Sequence, residues 1–100
     1  MLETEVSIDS ADYSALSRFL RGYLHQDATV EYGSAIAAAR QFRKDADERE
    51  TVVVHSELER LLSETATLSI ADLDRTLQQL GSAWHFRSRG EIEELLDALK

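Results

Sequence analysis

The chain has no cysteine and no proline among its 100 residues. Without cysteine there is neither a disulfide framework nor a thiolate metal site. Without proline no residue prescribes a rigid break, so glycine, present only at 22, 33, 81 and 90, is left to punctuate the fold. Basic residues are scarce: 11 Lys and Arg stand against 19 Asp and Glu, a formal charge of −8. Phosphate binding needs a basic face, and so does attraction to anionic lipid; neither nucleic acid nor a membrane is expected as a partner. No apolar run approaches the roughly 20 residues that span a bilayer. Met1-Leu2-Glu3-Thr4-Glu5 lacks the basic start and apolar stretch of a signal peptide. A cytoplasmic location is the resulting expectation.

What is present is helical periodicity. Residues 1–100 are read as one domain, with 1–9 as a flexible N-terminal segment. After Ser10, a possible cap, apolar residues recur at Tyr13, Leu16, Phe19, Leu20, Tyr23 and Leu24, at spacings of three and four. A second helix opens behind Gly33 with Ser34 as its cap and Ile36, Ala39 and Phe42 as its face. Asp47 and Glu50 form an acidic capping box for a third, which carries Val54, Leu58, Leu61 and Leu62 inward. Thr51-Val52-Val53-Val54-His55 is β-branched and would suit a strand. The apolar spacing continues through Leu58 and Leu61, and a lone strand would lack a partner, so helix is preferred. Ser69 and Asp72 start a fourth helix with Ile70, Leu73, Leu77 and Leu80, and Gly81 closes it. The last runs from Glu91 to Lys100 with Ile92, Leu95, Leu96 and Leu99 inward. The fold class is all-α, a compact bundle of about five short helices, with Trp84 and Phe86 as core plugs in the link before the last.

The chain offers no visible enzyme site. His25, His55 and His85 do not share a helix face at metal-ligand spacing. There is no phosphate-binding glycine loop and no nucleophile elbow. The acids Glu91, Glu93, Glu94 and Asp97 suit the first turns of a helix through its dipole, with no metal required. No catalytic residue, cofactor or metal is expected.

The densest segment is Arg21-Gly22-Tyr23-Leu24-His25-Gln26-Asp27, followed by Glu31-Tyr32-Gly33-Ser34. A connection between helices needs turn residues, not so many aromatic and ionisable groups. Such a loop is either a hydrogen-bonded corner or a recognition surface, and His25 and Asp27 are close enough in sequence to touch across a turn. With Tyr13, Leu16, Phe19 and Leu20 ahead of it, the segment resembles the opening of the contact-dependent growth inhibition immunity proteins. That pattern has a Phe-Leu pair, then His-Gln-Asp, then Tyr-Gly-Ser opening the next helix. The resemblance extends over residues 13 to 99. It departs at Ala28, where the family commonly has Trp, and at Glu48, where it often has Pro; Trp84 is a candidate for the displaced packing anchor.

The resemblance implies a cognate immunity protein. Such a protein binds a toxin domain delivered by neighbouring bacteria and blocks it in the cytoplasm. The toxins are frequently nucleases, whose clefts are basic, and an acidic inhibitor complements them. Tyr23 and Tyr32 are the expected aromatic anchors, with Asp27 and Glu31 meeting Arg or Lys. His25, Gln26, Gly33 and Ser34 are assigned a structural role, tying the first helix to the second. The alternative is a small acidic helical adaptor or regulatory module binding another basic protein. Nothing in the sequence sets the oligomeric state.

Overall fold

A computed structural model describes residues 10–100. The expectation of a flexible segment over 1–9 falls outside them, as does the Ser10 side chain and any cap it forms. A 3-10 turn (Ser10–Tyr13) leads into α1 (Ser14–Tyr23). Then follow α2 (Ala28–Glu31), α3 (Ala35–Asp45), α4 (Glu48–Glu64), α5 (Ile70–Leu80) and α6 (Arg89–Ala98). The protein is all-α: the described residues form five helices of 10 to 17 residues, as the periodicity predicts, plus the single turn α2 that it does not. No described helix is long and apolar enough to cross a membrane.

Local signals explain most boundaries. Ser34, Asp47 and Ser69 each accept the amide of the residue three further on, from Ala37 at 3.0 Å, Glu50 at 2.7 Å and Asp72 at 3.2 Å. Gly81 ends α5 with φ +130° and donates its amide to Gln78. The β-branched run is helical. Thr51 and Val54 point inward, while Val52 and Val53 are exposed. Two expectations shift. The last helix begins at Arg89, not Glu91, because Ser88 caps it through the Glu91 amide. On α3 the buried face is Ala35, Ala38, Ala39 and Phe42, and Ile36 is only half-buried. Small residues let α6 and α1 pack close to α3 where a branched side chain would hold them off.

One continuous core runs through all five long helices, built on Leu16, Phe19, Leu20, Leu58, Leu61, Leu73, Leu77, Ile92 and Leu95. At its centre α1 packs most extensively on α4. The first turn of α1 has no local cap: Tyr13 stands at the cap position without a side-chain bond. Glu57 of α4 supplies it, accepting the Leu16 amide at 2.9 Å. Beside it the buried Tyr13 hydroxyl donates to Glu64, and the Arg60 guanidinium lies 4.7 Å from the Tyr13 ring centroid. Glu57→Ala leaves that amide without its acceptor, so a loss of about 1 kcal/mol is expected in urea unfolding. Glu57→Gln keeps an acceptor and loses less. An unchanged midpoint for Glu57→Ala would refute the long-range cap.

The middle of α1 and its C-terminal end are clasped by α5 and the link after it. Ser17 Oγ donates to the Leu80 carbonyl at 2.5 Å, and the Ala83 amide donates to the Leu24 carbonyl at 2.8 Å. At Gly81 an added Cβ would sit 2.5 Å from Arg21 Cγ, at a backbone angle that disfavours side chains anyway. The link itself is organised by Asp74. Its carboxylate accepts the Phe86 amide at 2.8 Å and Gln78 Nε2 at 3.1 Å, and lies 3.3 Å from His85 Nδ1. Phe86 is buried and Trp84 packs half-buried against the core, so both plug it as expected.

Candidate functional site

The end of α1, the turn α2 and the end of α3 meet at one corner. Leu24 is buried beneath it. His25 Nδ1 accepts the Asp27 amide at 3.1 Å, which leaves the ring proton on Nε2, 3.1 Å from Glu31 Oε1. The Asp27 carbonyl accepts the amides of Val30 and Glu31 at 3.0 and 2.9 Å, closing the turn α2. His25 therefore does touch Asp27, through the backbone; its carboxylate partner is Glu31. Gly33 then takes φ +89°, a left-handed angle suited to glycine, and delivers Ser34 to cap α3.

An aromatic ladder rises from the core to this surface. Phe19, buried, stacks on half-buried Tyr23 with centroids 5.8 Å apart. Tyr23 stacks on Tyr32 at 5.8 Å, and Tyr32 lies 6.4 Å from the His25 ring. Phe42 meets Phe19 and Tyr23 edge-on, at 4.9 and 5.3 Å. The outer rings are thus held from below by fixed ones. The Tyr23 hydroxyl donates to Asp45 Oδ2 at 2.8 Å, and Gln41 Nε2 donates to Asp45 Oδ1 at 2.9 Å. Burial, and next the bond to Asp45, push the Tyr23 phenol up to about 12. It stays protonated at neutral pH and remains a donor. Tyr32 is also raised, first by burial and then by the charge of Glu31.

Of the residues singled out in the sequence, Tyr23, His25, Glu31 and Tyr32 come together. Asp27 joins through its backbone and is exposed, as is Gln26. Gly33 and Ser34 serve the turn and the helix start. Sequence reasoning missed Asp45 and Gln41. One signal was available: an acid in the last turn of a helix works against the helix dipole, and Gln41 and Asp45 stand at i,i+4 spacing.

A larger open groove of about 470 Å³ lies elsewhere, between Arg43, Glu48, Val52, His55 and Leu99. Its charges are mixed and it contains none of the motif residues. Among the described residues no cluster of His, Asp and Glu could hold a metal ion.

No curated protein and no solved structure matches the chain. A family model does, that of the CdiI immunity protein, and its match covers residues 12–99, from the turn before α1 to the end of α6. With the aromatic corner inside that span and nearly the whole chain accounted for, the protein belongs to the CdiI immunity family.

Proposed function

We propose that this protein is a non-catalytic inhibitor that acts in the cytoplasm, binding a cognate toxin domain and occluding its active site. The toxin domain in this reading is basic and a nuclease, and its contacts are Tyr23, Asp27, Glu31 and Tyr32. The observation that carries the reading is the ladder from Phe19 through Tyr23 to Tyr32, with Asp45 bonded to Tyr23 and Glu31 beside Tyr32. Affinity at a protein interface concentrates in rigid aromatic anchors surrounded by polar groups. Rings already packed against one another lose little freedom on binding. The −8 charge supports a cationic partner and disfavours nucleic acid and anionic membranes. Inhibition needs only occlusion, so no group here has to perform chemistry.

The test is a calorimetric titration against the toxin domain encoded beside this gene. A one-to-one complex of nanomolar affinity or tighter supports the reading; absent binding between folded partners returns the protein to the adaptor class. The association rate should also fall about tenfold or more between low and physiological salt, because steering by net charge is screened beyond a Debye length of roughly 8–10 Å. Stopped-flow rates that do not change with salt would refute steering.

A further inference from the structure

Beside the ladder, α1, the end of α3 and the first turn of α4 border an open hollow of about 150 Å³. Phe19, Tyr23 and Phe42 wall it, and Asp45, Glu50 and Arg18 stand around it. We propose, resting on the reading that this corner meets the toxin domain, that the hollow receives an arginine side chain of the toxin.

Asp45 is the centre of the argument. Both its carboxylate oxygens are held, by Tyr23 and by Gln41, and both donors are neutral. Hydrogen bonds of this kind fix an anion without cancelling its charge. Each oxygen still has a second acceptor direction free. Among the described residues neither Asp45 nor Glu50 is in an ion pair. Asp45 also sits in the last turn of α3, where unpaired carbonyls disfavour a negative charge. The corner thus maintains, in a fixed direction, an anion that its own helix opposes. An incoming cation removes that conflict.

The walls choose the cation. A guanidinium is planar, stacks on aromatic faces and can bridge two carboxylates, whereas an ammonium is a strongly hydrated point charge. Arg18, on the exposed face of α1, is the cation already at the rim. With Asp45 and Glu50 opposite it, the lining keeps one net negative charge, and Arg18 swings aside or shares Glu50 when the site fills.

The experiment is a titration of the same toxin domain with four proteins: wild type, Asp45→Asn, Glu50→Gln and Glu59→Gln. Each substitution removes one charge, but Glu59 does not line the hollow and stands nine residues beyond Glu50 along α4. Asp45→Asn should weaken binding about tenfold and Glu50→Gln about threefold, with Glu59→Gln within about twofold of wild type. Thermal melts monitored by circular dichroism verify that each variant is folded; Glu50→Gln alters no hydrogen bond described above and remains decisive if Asp45→Asn is not. In a double-mutant cycle, the loss at Asp45 should be non-additive with the loss of one toxin arginine. Wild-type binding with both hollow variants within twofold overturns the inference and leaves the inhibitor reading standing, as do losses additive with every toxin arginine. If wild type itself does not bind, the inhibitor reading fails first.

Discussion

Replacing Phe19 by alanine should lower the unfolding free energy by about 3–5 kcal/mol, the cost of truncating a buried aromatic ring in a packed core. Phe19 is buried and touches Tyr23 and Phe42 through their rings, so its removal leaves a gap bounded by aromatic faces. Planar rings packed against other rings collapse poorly into such a gap, which favours the upper part of the range. Against a total stability of about 5–15 kcal/mol, this is a large fraction. For a domain of this size it lowers Tm by well over 10 °C. Phe19→Leu keeps most of the volume and should lose only about 1–1.5 kcal/mol. Urea unfolding with a shared slope measures both. A loss below about 1.5 kcal/mol for Phe19→Ala would mean that the ladder does not rest on this ring.

Tyr32→Ala should weaken toxin binding about 30-fold or more while costing the free protein little. The ring is half-buried and stands at the outer end of the ladder, with Tyr23 and His25 as its ring neighbours among the described residues. An anchor of this kind accounts for about 2 kcal/mol or more at an interface, because its pocket on the partner stays unfilled when it is lost. Tyr32→Phe keeps the ring and should lose only a few-fold. The contrast with Phe19 is informative: one substitution removes the foundation and the other the exposed end. Competition against wild type for the toxin domain, with melting curves for each variant, separates the two. Wild-type affinity for Tyr32→Ala would move the contact surface away from this corner.

Legibility in the sequence followed the range of the interaction. Helix starts at Ser34, Asp47 and Ser69 were readable because a cap and its amide lie three residues apart. Ser88 belongs to the same class, with Glu91 as its third residue, but Gly90 between them reads as a break. In the run Thr51 to His55, periodicity prevailed over β-propensity, since Thr51 and Val54 fall on the buried side. Ile36 misled for the opposite reason: hydrophobicity ranks it above alanine, yet close helix packing selects Ala35, Ala38 and Ala39. At the candidate site the dense segment from Tyr23 to Tyr32 stood out through its composition. The bonds from Tyr23 to Asp45 and from Leu16 to Glu57 could not, because they join residues 22 and 41 positions apart with no local pattern. The turn α2 was hidden too, since His25 stabilises it through a backbone amide that any residue at 27 would carry.

The two clasps on α1 set an order of events during synthesis. α1 emerges from the ribosome before α4 and α5, yet at ten residues it is too short to persist alone in water. Its first turn waits for Glu57, its middle for Leu80 and its C-terminal end for Ala83. Until translation passes residue 83, Phe19, Tyr23 and Tyr32 have no fixed frame, and a nascent chain presents no finished corner to a partner. The frame of the aromatic ladder is therefore set late, by residues that lie 41 or more positions beyond those they bond.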